Sequence, residues 1–124
     1  SLDSLEKTKA DSSTTDYCNF LIDNANKNSE KFIAISLLPC QWGYQEIAQN
    51  FVKNNLKRDS FHKIWVDSYS SQEYQDVTNW LRNYVDEIGK NLNKKGIENC
   101  KELFRLGIEY EIGFWDSAWN FSNK

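Results

Sequence analysis

One histidine, His62, occurs in 124 residues, and its scarcity removes several chemistries. A papain-like Cys/His pair is disfavoured by the setting of that one histidine, and a zinc site by a single histidine with dispersed cysteines. His62 lies on a short polar segment and reads as surface. Five glycines are present, and none has the spacing of a phosphate-cradling loop. The three cysteines, Cys18, Cys40 and Cys100, form no CxxC pair. Their odd number favours reduced thiols in a cytosolic setting over a disulfide framework. No stretch approaches the roughly 20 apolar residues of a membrane span, and residues 1–16 lack the apolar centre of a signal peptide. Asn120-Phe-Ser122 matches a glycosylation sequon, but the cysteine usage argues against secretion. A net charge of −3 and a pI near 5.2 argue against a nucleic-acid or acidic-membrane partner, which calls for a basic face. The basic pairs Lys57-Arg58 and Lys94-Lys95 read as solvated surface.

What is present is a single-domain length with 40% hydrophobic, 27% charged and 15% aromatic residues, the balance of a globular chain. The period of the apolar residues is helical throughout. Residues 1–13 are polar and read as an irregular lead-in, with candidate N-caps in Asp11-Ser-Ser-Thr-Thr-Asp16. A first helix is expected over about Thr15–Lys27, with Tyr17, Phe20, Leu21 and Asn24 on one face. A second runs from near Ser29 to about Asn54. Its centre, Phe32 to Ala48, is apolar nearly all round, which predicts burial on most sides. Pro39 lies within it and predicts a kink, since it removes a hydrogen bond and crowds the preceding turn. A short helix is expected over Ser60–Ser68. Tyr74, Val77, Leu81, Tyr84, Val85, Ile88 and Leu92 then recur at i, i+3, i+4, i+7 spacing, a clean amphipathic helix. Gly96 is expected to break the chain before a last helix over about Ile97–Phe121. No alternating segment competes for a strand, and the fold class is all-α.

Two constellations carry chemistry. In Ser36-Leu-Leu-Pro-Cys-Gln-Trp-Gly-Tyr-Gln-Glu-Ile-Ala48, Cys40 and Tyr44 are one helical turn apart and share a face with Ile47 and Phe51. A thiol beside a phenol in an apolar wall is a candidate reactive pocket. Buried cysteine also serves as a small hydrophobe, and from residue type alone Cys18 and Cys100 are equally eligible. In the last helix Phe104, Ile108, Trp115 and Trp119 form an apolar stripe that encloses Glu111. A carboxyl there must find partners or rise in pKa. It is either a general acid–base group or a core-ordering acceptor for a buried Tyr or Trp.

Together the segments Leu37-Leu-Pro-Cys-Gln-Trp-Gly-Tyr44, Trp65-Val-Asp-Ser-Tyr-Ser-Ser71 and Tyr110-Glu-Ile-Gly-Phe-Trp-Asp-Ser-Ala118 resemble the TenA/thiaminase II family. Lys7-Thr-Lys-Ala-Asp and Tyr17-Cys-Asn-Phe-Leu21 fit the same pattern in order and spacing. The resemblance implies a haem-oxygenase-like helical bundle without haem or other cofactor or metal, usually a homotetramer. It implies hydrolysis of aminopyrimidines such as 4-amino-5-aminomethyl-2-methylpyrimidine, with thiamin a slower substrate, in thiamin salvage. By position Cys40 matches the family's nucleophile and Glu111 its catalytic glutamate, while Tyr17, Tyr44 and Tyr69 match the tyrosines around the pyrimidine. Tyr44 is expected to hydrogen-bond the Cys40 sulfur and help hold it as thiolate.

Members of the family run to roughly twice this length. The resemblance therefore assigns residues 14–124 to the C-terminal portion of one TenA-like domain, after the lead-in 1–13. An aspartate that bonds the aminopyrimidine and an aromatic that stacks on it are expected from a separate N-terminal half. Without that half, apolar helix faces would be exposed and self-association expected. The rival reading is a non-catalytic helical module that binds a small molecule or serves assembly on the same fold. A thiol and an enclosed acid together favour the enzyme.

Overall fold

The computed structural model describes residues 7–27, 29–56 and 59–122, and within them every regular element is an α-helix. The order is α1 (Ser12–Ala25), α2 (Glu30–Lys53), α3 (Ser60–Tyr69), α4 (Gln72–Lys90) and α5 (Lys94–Ser122). Of the expected lead-in, residues 1–6 lie outside the described residues, and 7–11 carry no regular structure. The helix starts earlier than the apolar pattern suggests because Asp11 caps it, its carboxylate accepting from the Ser13 N–H at 2.9 Å. A cap of this kind satisfies an orphan donor of the first turn. Asp59 accepts from the His62 N–H at the start of α3, and Ser71 from the Tyr74 N–H at the start of α4. Lys57-Arg58 lies outside the described residues, whereas Lys94 and Lys95 are exposed in the first turn of α5.

Gly96 does not break the chain. It lies in the first turn of α5, where its N–H donates to the Asn93 side chain at 2.9 Å. The cap at Asn93 thus sets the helix start, and one glycine's cost of about 1 kcal/mol is too small to prevent it. The end of α2 is equally defined. Asn55 has φ 47°, and the Asn55 and Leu56 N–H groups bond the carbonyls of Val52 and Phe51. This is the paired closure that a left-handed residue permits, with asparagine in the place glycine most often takes.

α2 is the hub of the bundle, packing against each of the other four helices and most extensively against α5. Ala34, Ile35, Leu38 and Ala48 are buried on it, in line with its apolar surround. Leu81 joins Ala34 and Leu38 in the core, with Trp42, Tyr84, Val85 and Phe104 packed around them. The helix continues through Pro39, which is itself buried. α5 crosses at that point through Gly107, where an added Cβ would lie 2.7 Å from Pro39 Cγ. Glycine is required there by the closeness of the two helices. α1 docks on α5 through rings: Tyr17 stacks on Tyr110 at 5.7 Å, and Phe20 meets Tyr110 at 4.7 Å. Asn24, 2% exposed, bonds the Phe20 carbonyl and accepts from Lys27. Among the described residues, no helix is long and apolar enough to cross a membrane.

Candidate active site

The crossing of α2 and α5 brings Cys40, Tyr44 and Glu111 into one wall. Cys40 follows Pro39 at the closest approach, and Glu111 lies one turn of α5 beyond Gly107. Three helices then converge on a single carboxylate. The Tyr17 hydroxyl, from α1, donates to Glu111 Oε1 at 2.6 Å, and the Tyr44 hydroxyl, from α2, donates to Oε2 at 3.1 Å. The enclosed acid has found its partners, as its place in an apolar stripe required. Burial first, then the hydrogen bond and charge of Glu111, push the Tyr17 phenol well above its ordinary range. Tyr44 is raised in the same way by burial and by the charges of Glu111 and Cys40, against a hydrogen bond from Trp115 that acts in the opposite sense. Both phenols are neutral donors near pH 7.

Cys40 is half-buried against the same carboxylate. Burial is the largest influence on its thiol, followed by the charge of Glu111 and their hydrogen bond, and the pKa is pushed up to about 12. The expected thiolate stabilised by Tyr44 is not what the site holds. A phenol has one proton to donate, and Tyr44 gives it to Glu111. At rest the sulfur is a thiol facing a proton acceptor.

Cys40, Tyr44 and Glu111 line a cavity of about 460 Å³ between α2 and α5, together with Trp42, Phe104, Ile47 and Trp115. Phe51, expected on the same face, is not among its lining residues. Tyr17, which bonds Glu111, is not among the lining residues either. Tyr69 is a ring further out: it packs on Tyr44 at 5.1 Å, Trp65 at 4.6 Å and Tyr74 at 4.9 Å. Trp65 and Trp115 complete the box, their rings meeting Tyr44 edge-on at 5.8 and 5.9 Å. Such edge-to-face pairs are favourable beyond their buried area, and here they hold the Tyr44 hydroxyl on its acceptor. Burial also raises the Tyr74 phenol.

Sequence reasoning assigned Tyr74 to the amphipathic face of its helix and gave Trp42 no role. Trp42 stands two residues after Cys40, and its indole N–H donates to Glu46 Oε1 at 2.8 Å. A signal was available, since i, i+4 spacing links Trp42 to Glu46. His62 is exposed beside Asp59, at 2.8 Å, and is remote from this constellation in the contacts it makes. Among the described residues no three His, Cys, Asp or Glu side chains group closely enough to hold a metal ion.

The apolar stripe of α5 is only partly covered. Ile108, Ile112, Trp115 and Trp119 are exposed, as is Ile47 across the cavity mouth, with Trp119 at 71%.

Comparison with known proteins identifies the family. The family model described as the TENA/THI-4/PQQC family matches residues 1–121. An aminopyrimidine aminohydrolase of Helicobacter pylori is 36% identical over 104 residues, covering 83% of this chain and 48% of that protein. Another, from Halalkalibacterium halodurans, is 28% identical over 121 residues, 97% of this chain and 54% of its own. The solved structure of a TenA homologue protein from P. horikoshii OT3 superposes with a TM-score of 0.85 at 27% identity, over 97% of this chain and 55% of that one. The chain spans about half the length of these relatives. Because the family model matches residues 1–121 of the 124 in this chain, the chain belongs to the TENA/THI-4/PQQC family.

Proposed function

We propose that this chain carries the nucleophile and the proton-transfer group of an aminopyrimidine aminohydrolase, hydrolysing the exocyclic C–N bond of 4-amino-5-aminomethyl-2-methylpyrimidine and, more slowly, of thiamin in thiamin salvage. The observation that carries the reading is the convergence on Glu111 of two phenols and the Cys40 thiol beside one cavity. The names of the relatives support the same class.

A thiol with a pKa near 12 is a weak nucleophile until a base takes its proton. Glu111 takes that proton as the sulfur adds to C6 of the pyrimidine. The ring loses aromaticity, and its electrons move toward the exocyclic carbon. Glu111 passes the proton to the departing nitrogen, the C–N bond breaks, and ammonia leaves an exocyclic double bond. Water adds to that carbon, its second proton passing to Glu111. The C6–S bond then breaks, the ring is restored, and the proton returns to sulfur. Tyr17 and Tyr44 hold the carboxylate in place, and Tyr69 braces Tyr44 at the edge of the pyrimidine site.

The exposed apolar residues around the cavity mouth support a further helical polypeptide laid over it, since a contiguous apolar patch marks an interaction surface. In this reading the cover corresponds to the other half of the relatives, within a homotetramer in a reducing cytosol. Native mass of the purified protein reads that assembly.

Ammonia release from the aminomethylpyrimidine tests the activity. The wild-type protein is expected to turn it over, and Cys40→Ser is expected to lose turnover while retaining its helical signal and melting transition. Undiminished turnover in Cys40→Ser sinks the nucleophile. Release no faster than in buffer from the wild-type assembly favours the non-catalytic binding module.

A further inference from the structure

A second cavity, of about 380 Å³, lies on the other side of α2 between α4 and α5. Its walls are mainly aliphatic, from Ile35, Leu38, Val85, Ile88 and Leu92. Two residues line both cavities, Trp42 and Phe104. Their rings pack on each other at 6.4 Å with a tilt of 52°, so the material between the two spaces includes one indole and one phenyl ring.

The indole is held by two charged side chains, Arg82, which lines neither cavity, and Glu46, which lines the first. The Arg82 guanidinium of α4 lies 4.0 Å from its ring centroid, a cation–π contact that also fixes the plane of the ring. Its N–H is held by Glu46. Neither Arg82 nor the Glu46–Trp42 bond takes part in the proton traffic proposed for Glu111, and packing in the shared core does not need a charged residue on this ring. The arrangement locks the orientation of one wall.

We propose that the Trp42–Phe104 ring pair is the specificity-determining partition of the active-site cavity, with Arg82 as its positioning residue. While the indole is clamped, the site ends at the rings and takes a compact heterocycle. With the indole removed, the site opens into the apolar second cavity and takes a ring bearing an additional apolar substituent. A pocket lined mainly by aliphatic side chains, with Asp86 and Lys101 also lining it, suits an aromatic substituent. The inference rests on the reading of the first cavity as the substrate site, but its test does not depend on turnover.

The test is calorimetric titration of three probes: 4-amino-2-methylpyrimidine, 2-benzyl-4-aminopyrimidine and 5-benzyl-4-amino-2-methylpyrimidine. Wild type, Trp42→Ala, Trp42→Leu, Phe104→Leu and Arg82→Gln are compared, each with its melting transition recorded. Benzyl-probe affinity is expected to rise at least about tenfold over wild type in the folded Trp42 variants, the scale at which pocket volume discriminates. A smaller gain in the same direction is expected in Arg82→Gln, which keeps the ring and loosens only its clamp. Unchanged benzyl-probe affinity in every folded variant overturns the partition. Gain in the Trp42 variants with none in Arg82→Gln overturns the positioning role of Arg82. The failure of the hydrolase reading looks different: the wild type then releases no ammonia, while the benzyl-probe gain in the variants stands.

Discussion

Two half-buried cysteines lie on opposite sides of the Trp42–Phe104 rings, and they are not equivalent. Cys40 faces the cavity that contains Glu111 and Tyr44, and Cys100 lines the aliphatic one. Burial raises both thiols, but the second influence differs. At Cys40 it is the negative charge of Glu111, which raises the pKa further, to about 12. At Cys100 it is the positive charge of Lys31, which acts to lower it. Judged by readiness to ionise alone, Cys100 is the better thiolate. Cys40 has instead what a nucleophile needs during a reaction, a proton acceptor against the sulfur and space for a ligand. The less raised thiol pKa and the nucleophilic role proposed here fall on different residues, because ease of ionisation and a nearby proton acceptor are separate properties.

The largest contrast is expected from serine at each position. Cys40→Ser should reduce ammonia release by at least ~10³-fold, as loss of a covalent nucleophile does. Cys100→Ser should leave kcat and KM within about twofold, since surface and non-site substitutions act mainly through stability. Equal losses in the two variants would show the two cysteines to be equivalent.

Tyr17→Phe acts on the Glu111 side alone. Removing the 2.6 Å bond to Glu111 frees one side of the carboxylate and should lower kcat roughly 10-fold to 10²-fold through misplacement. The cost in stability should be about 1 kcal/mol, the worth of one hydrogen bond, read as a lower urea midpoint. The rate of Cys100 alkylation should not change. The smallest effect is expected from Lys31→Ala. It removes the charge that favours the Cys100 thiolate, so the pH profile of Cys100 alkylation by iodoacetamide should move upward. The Cys40 profile should stay where it is, and peptide mass mapping separates the two.

Much of the fold was legible in the sequence because helical periodicity needs only local information. The all-round apolar centre of α2 identified the hub of the bundle, and Glu111 in its stripe announced a group that had to find partners. Gly96 misled because propensity is a weak term beside a side-chain cap, and Asn93 supplies that cap. Tyr17 meets Glu111 across 94 positions of sequence, a distance at which no periodicity speaks; only the likeness to a family pointed there. Tyr44 was legible as a neighbour of Cys40 but not as a donor to Glu111, because a shared helix face does not decide which acceptor a hydroxyl turns to. The Arg82–Trp42 clamp joins α4 to α2 and was invisible for the same reason. The Trp115 and Trp119 stripe was legible as apolar and is exposed, and this rim is what the proposed helical cover would occupy.

In the proposed mechanism burial, reinforced by the charge of Glu111, keeps Cys40 a thiol at rest, and Glu111 removes its proton during the reaction. The most direct test is the pH dependence of Cys40 alkylation by iodoacetamide in the wild type and in Glu111→Gln, measured beside turnover. Alkylation follows the thiolate fraction. Taking away the negative charge favours the thiolate, so the variant's alkylation profile should move to lower pH, while its kcat falls by about 10²-fold to 10⁴-fold with the loss of the base. Faster alkylation with slower turnover in one variant is the predicted result. A profile that stays in place or moves to higher pH, or turnover that survives the substitution, would contradict it.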